Sequence, residues 1–173
     1  HIEETVELEV IDAQGGWVMP GIIEAHCHIG IMEQGMGFEG MDVNEMTDPS
    51  TPHLRAIDAI NPMDEAFDDA VKAGITTVMT GPGSANVVGG QFVVMKTKGV
   101  SMDDMIMLEP AAMKVAFGEN PKRVYSGKGK MPSTRMGTAA ILREVLFNAR
   151  NYKNKKEKAL ANNEKFDLDF KME

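Results

Sequence analysis

Two imidazoles spaced two residues apart, His26 and His28, end an apolar segment that begins abruptly after Pro20-Gly21. Side chains on a β-strand alternate between faces, so both rings project from one side. A rise of about 3.3 Å per residue lets them converge on a single cation, each offering one neutral ring nitrogen. Glu24 shares that face, whereas Ile23, Ala25, Cys27 and Ile29 make the other face apolar. A strand of this kind packs one side against helices and lines a polar site with the other, as a barrel stave does. Two hydrogen-bonded histidines at the edge of a core would satisfy the same spacing, and the flanking pattern favours the metal reading. Cys27 points away from the pair. As the only cysteine, it excludes a zinc-finger pattern.

The following 60 residues place that strand in a repeat. Residues 30–52 hold several glycines and little apolar periodicity, which predicts an ordered loop at the site. Asn61 is the expected N-cap of a helix, with Pro62 in the first helical position and Asp64 and Glu65 at its positive end. Met63, Ala66, Phe67, Ala70 and Val71 form its apolar face, and Gly74 stops it. Residues 75–80 then read as a strand. Strand, loop, helix and strand in that order make a βαβ crossover. Gly81-Pro82-Gly83-Ser84 reads as a βα turn lining a substrate pocket; a phosphate cradle would use the same glycines, but P-loop spacing is missing. Gly89-Gly90 followed by residues 91–96 reads as a hairpin or an inserted strand.

Lys114 is the only charge in the apolar run 111–117. It either buries its ammonium beside a partner or extends its stem to solvent. Residues 120–135 carry Lys122, Arg123, Lys128, Lys130 and Arg135 in an otherwise acidic chain. Arg123 is the candidate to receive an anionic substrate group, because its planar fork suits a carboxylate or phosphate; a solvated loop is the alternative. Ser133 or Thr134 is expected to cap a helix running through Leu142 and Leu146 to about Tyr152. Beyond Lys153 the chain reads as polar and partly disordered. At the other end Val6, Leu8 and Val10 alternate with Glu7 and Glu9 as a half-exposed strand, followed by a turn over 12–16.

A formal charge of −8 argues against nucleic-acid and anionic-membrane partners. A lone cysteine permits no internal disulfide and suits a reducing cytoplasm, and no apolar run approaches a membrane span. The 15 methionines read as adaptable core filler.

The runs Val10-Ile11-Asp12-Ala13, Gly16-Trp17-Val18-Met19-Pro20-Gly21 and Glu24-Ala25-His26-Cys27-His28 together resemble the entry into the catalytic barrel of the amidohydrolase superfamily. Thr80-Gly81-Pro82-Gly83-Ser84-Ala85-Asn86, Gly118-Glu119-Asn120-Pro121 and Pro132-Ser133-Thr134-Arg135-Met136-Gly137 narrow the resemblance to imidazolonepropionase-related amidohydrolases. The resemblance implies an α/β fold: a partial (β/α)8 TIM-type barrel over residues 20–173, preceded at residues 1–19 by the end of a small β-sandwich. A complete barrel takes roughly 250 residues, so 173 correspond to a fragment. It further implies a metal-dependent hydrolase that cleaves a C–N bond of a small molecule (an amide, a cyclic amide or a peptide-like substrate) by metal-activated hydroxide. His26 and His28 would be ligands to zinc, in a site of one or two metals. Lys114, as a carbamate, would be the bridging ligand, with Glu119 the alternative carboxylate.

Further ligands would lie outside this chain, which alone is expected to be inactive. The open sheet edges of a partial barrel predict a homo-oligomer. A non-enzymatic scaffold on the same fold and a mononuclear deaminase are the competing readings.

Overall fold

The computed structural model describes residues 9–173. The strand expected through Val6 and Leu8 lies outside them. Val10 is exposed and not in a strand, and the turn over 12–16 is closed by the Gly16 amide on the Ala13 carbonyl (2.7 Å).

Strand β1 (Ile22–Cys27) pairs in parallel with β2 (Ile75–Thr80), and helix α1 (Glu65–Lys72) lies in the connection between them, so the βαβ crossover forms as expected. The loop over 30–52 is ordered: Met32 bridges to Met41, a 3-10 turn spans Phe38–Gly40, and Ser50 bridges to Val88. Helix α1 starts later than its sequence suggests. Asp64, not Asn61, is the N-cap, accepting from the Ala66 amide (3.1 Å). Asn61 instead closes a preceding turn by accepting from the Met63 amide (3.0 Å), which leaves Met63 exposed. Phe67 is the residue of α1 that reaches the core, and its burial contributes about 1.5–3 kcal/mol. Gly74, at φ +80°, ends the helix in a conformation that only glycine adopts without strain.

Beyond β2 the architecture departs from a simple barrel repeat. Gly81-Pro82-Gly83-Ser84 leads not into a helix but into β3 (Val88–Lys96), which runs antiparallel to β2 and to β4 (Ile106–Val115). The sheet order is β1-β2-β3-β4. The β-branched and aromatic residues Phe92, Val93 and Val94 favour an extended chain, so the hairpin-like insertion expected after Gly90 becomes a central strand. The result is a mixed α/β sheet with one parallel pair.

Ile31, Ile60, Phe67, Val78, Val93 and Met95 form the core on one face, joined by Met105 of the short helix α2 (Met102–Met105). Cys27 and Ile29 pack against it, whereas Ile23 is exposed, so only the end of β1 is covered as its alternation predicts.

The basic stretch is a loop only in part: Lys122 and Arg123 lie in a helix and Arg135 opens another, whereas Lys128 and Lys130 lie in the connection between them. Residues Glu119–Ser126 form α3, with Pro121 in the first turn where a missing N–H is tolerated. Helix α4 (Arg135–Ala161) is capped by Thr134, which accepts from the Gly137 amide (3.0 Å), and runs well past Tyr152. Lys, Glu, Ala and Leu between 153 and 160 are good helix formers, and Lys153 pairs with Glu157 one turn on. The tail then folds back. Phe166 packs on the Tyr152 ring, Lys171 pairs with Asp48 (2.9 Å), and Glu173 meets Tyr152 (2.6 Å) and Lys156. Among the described residues no helix is long and apolar enough to cross a membrane.

Candidate metal centre

The parallel register aligns Cys27 with Thr80 and lets the Gly81 amide donate to the Cys27 carbonyl (3.3 Å). His26 is in β1 and His28 just beyond it, and the Gly81 carbonyl accepts from His28 Nδ1 (2.7 Å). A carbonyl oxygen only accepts, so Nδ1 carries the proton and Nε2 presents its lone pair. This is the arrangement by which an outer partner orients a metal-binding histidine. The two imidazole rings lie 5.5 Å apart at 79°.

Lys114 comes from the far side of the sheet. On β4 it pairs with Gly90 of β3, and its Nζ lies 3.4 Å from His26 Nε2. Three interstrand steps of about 4.8 Å separate β1 from β4 in a flat sheet, roughly 14 Å. The two side chains bridge that span over Phe92, whose ring lies 5.5 Å from His26 and 5.8 Å from Lys114 Nζ. Gly81 makes room for that ring, since a Cβ there would sit 2.3 Å from it.

Burial depresses the Lys114 ammonium below its ordinary range. Burial also lowers His26, with Lys114 and His28 adding to the effect and Glu24 opposing it. Glu24 is otherwise engaged with the His26 amide (2.9 Å). The side chains that converge are two imidazoles, each able to offer a ring nitrogen to a divalent cation, and the Lys114 amine. Among the described residues no group of three or more His, Cys, Asp and Glu side chains completes a metal site.

The remaining candidates fall elsewhere. Glu119 is exposed in the first turn of α3. Arg123 is also exposed and donates to Asn120 Oδ1 (3.0 Å), while Asn120 donates to Ser84 Oγ (2.7 Å). Arg123 is therefore tied to the glycine-rich loop beside the site rather than to the histidines.

Sequence reasoning missed Phe92 and a polar hub behind that loop. Tyr125 donates to Asn86 Oδ1 (2.5 Å), and Asn86 donates to the Glu45 carbonyl (2.6 Å) and Thr51 Oγ1 (2.8 Å). The only signal for the hub was an asparagine in an otherwise small-residue run. Tyr125 is fully buried; burial, then the charges of Asp48 and Glu45, push its hydroxyl up to about 12. The unfolded chain ionises this phenol near pH 10 and the native one does not, so its contribution is present below pH 10 and lost as pH rises toward 12. Tyr125→Phe leaves Asn86 Oδ1 without its donor and is expected to destabilise by about 1–3 kcal/mol. Denaturant unfolding at pH 8 and 11 checks both effects: the gap between wild type and variant should shrink at the higher pH.

No family model matches the chain. It is 33% identical over 152 residues to amidohydrolase tasK from Hapsidospora irregularis, a match covering 81% of this chain and 15% of that protein. It superposes with a TM-score of 0.93 and 45% identity on the crystal structure of an amidohydrolase from Thermotoga maritima MSB8, covering 99% of this chain and 45% of that one. The chain thus spans less than half the length of either relative. Similarity to two proteins described as amidohydrolases, at 33% and 45% identity, supports a relationship of this chain to the amidohydrolase superfamily.

Proposed function

We propose that the protein is a metal-dependent hydrolase of a C–N bond in a small amide, cyclic amide or peptide-like molecule. His26 and His28 would hold a divalent metal, zinc, and Lys114, as the carbamate it forms with carbon dioxide, would supply an anionic ligand in a site of one or two metals. The observation that carries this reading is the convergence of His26 Nε2 and Lys114 Nζ beside an imidazole whose Nδ1 is committed to Gly81. A metal held there supplies Lewis acidity and lowers the pKa of water toward neutrality. The chain's own groups do the rest: the Gly81 carbonyl keeps the proton on His28 Nδ1, Phe92 shields one side of Lys114, and Arg123 receives an anionic group of the substrate.

The parallel β1–α1–β2 unit, with its histidines at the C-terminal end of β1, supports reading residues 20–173 as the opening part of a barrel; the β-sandwich end expected at 1–19 rests on the family resemblance alone, and residues 9–19 hold no strand. The relatives extend well beyond the part that this chain matches, and in such a protein the remaining ligands would come from that part. Strands β1 and β4, the sheet edges among the described residues, favour self-association.

The test is elemental analysis and hydrolysis of a cyclic imide, a cyclic amide and a dipeptide by the full gene product. Zinc retention, with turnover lost to a chelator and restored by zinc, is expected. Absence of both metal and chelator-sensitive turnover would remove the enzyme reading and leave the scaffold.

A further inference from the structure

The register that brings His28 to Gly81 is irregular. β1 advances three residues, Glu24 to Cys27, while β2 advances two, Val78 to Thr80, so an extra residue sits in the ladder just before the histidine. Past Cys27 the chain leaves the sheet, and the His28 carbonyl accepts from the amides of Ile31 (3.3 Å) and Met32 (3.1 Å) in a turn. Strand pairing alone therefore does not fix the backbone from which the His28 ring projects.

Thr80 takes over at that point. It is fully buried, and its hydroxyl donates to the Ile29 carbonyl (2.8 Å), while the amide of the next residue, Gly81, donates to the Cys27 carbonyl (3.3 Å). The carbonyls of the residues before and after His28 are thus both held by residues 80–81, and the Gly81 carbonyl accepts from the ring itself (2.7 Å). Among these three links the Thr80 hydroxyl is the one made by a side chain outside the histidine motif. Valine would fill the same space and leave the Ile29 carbonyl without this donor.

We propose that Thr80 is a positioning residue that keeps the His28 proton on Nδ1 and so leaves the Nε2 lone pair free. The Gly81 carbonyl holds only the Nδ1–H form, and it does so only while ring and carbonyl stay in register. An imidazole without such a partner favours the proton on Nε2. The effect on the ring requires no metal; its consequence for zinc affinity rests on the hydrolase reading.

NMR of the full protein, labelled with 15N in its histidine rings and kept metal-free at about pH 8, where imidazole is neutral, tests it. The signals lost in His28→Ala are those of His28. Wild type should show a protonated Nδ1. Thr80→Val should move His28 toward the Nε2–H form and weaken zinc binding about 10-fold, the lower end of the cost of losing an outer partner. Thr80→Ser keeps the hydroxyl and should retain both properties. Thr97→Val removes the same kind of bond at the far end of β2, where the Thr97 hydroxyl donates to the Ile75 carbonyl (2.8 Å), and should leave the His28 signals unchanged. Should Thr80→Val fail to fold, Thr80→Cys, a weak donor of similar size, takes its place. A wild-type His28 protonated on Nε2, ring signals unaltered by loss of the Thr80 hydroxyl, or equal changes in Thr80→Ser or Thr97→Val would each overturn the proposal. An Nδ1–H ring that depends on Thr80 in a protein that binds no zinc would uphold it and remove the metal reading instead.

Discussion

Replacing His28 with alanine is expected to lower zinc affinity by more than about 100-fold, and chelator-sensitive hydrolysis with it. Loss of an outer partner of a metal-bound histidine already costs about 10–100-fold, and removing the imidazole itself takes away both the proposed ligand and the group that the Gly81 carbonyl orients. His26→Ala should match it. Lys114 separates two roles. If it only offered positive charge to a substrate, Lys114→Arg would retain function; as a carbamate or amine ligand it has no guanidinium equivalent, because arginine stays protonated and cannot take up carbon dioxide. Lys114→Arg and Lys114→Met are therefore expected to be equally impaired, and a small carboxylic acid should partly restore Lys114→Ala by occupying the vacated anionic position. Competition titration against a chromogenic chelator reads the affinities. A His28→Ala protein with undiminished zinc affinity would remove the metal centre from this end of the sheet.

What the sequence disclosed about this site, and what it withheld, follows the range of the interactions. The histidine pair was legible because two-residue alternation is local, and Pro20-Gly21 marks where the strand begins. The crossover to β2 was legible for the same reason, through the apolar spacing of Ala66, Phe67 and Ala70 and the stop at Gly74. Lys114 could be singled out as a charge in an apolar run, but its approach to His26 depends on the order of four strands. A continuous apolar segment does not specify its neighbour or its direction. That gap also hid the antiparallel course of β3, and with it Phe92, which sits between two residues drawn from opposite edges of the sheet. Helix boundaries failed where tertiary contacts compete with local signals. Asn61 has the right chemistry for a cap, yet Asp64 reaches three amides and takes the position. The polar stretch after Lys153 lacks an apolar stripe but has helical propensity, and the returning tail packs on it at Tyr152 and Lys156.

Asp64 carries the largest expected effect on stability. It is only 5% exposed, and its two carboxylate oxygens accept from the backbone amides of Ala66 (3.1 Å), Gln34 (3.1 Å) and Gly30 (3.2 Å). One side chain thus fixes the start of α1 and the loop that leaves His28, joining core and site. Truncation to alanine removes an N-cap, about 1 kcal/mol, and leaves the buried Gly30 amide unpaired, about 1–3 kcal/mol more. The Gln34 amide, nearer solvent, loses less. Asp64→Ala is therefore expected to lower the unfolding free energy by about 2–5 kcal/mol, a large share of the 5–15 kcal/mol typical of a domain. Graded replacements separate the contributions. Asn keeps one acceptor oxygen for Ala66 and Gln34 but sets an N–H₂ against the Gly30 amide, and Ser keeps the cap alone, so stability should fall in the order Asp, Asn, Ser, Ala. Because Gly30 follows His28 by two residues, the same series should loosen zinc binding in the same order without touching a ligand. Denaturant unfolding in the absence of metal isolates the structural part. An Asp64→Ala protein within 1 kcal/mol of wild type would show that these amides find water or other partners, and that the loop after His28 is held by its apolar contacts.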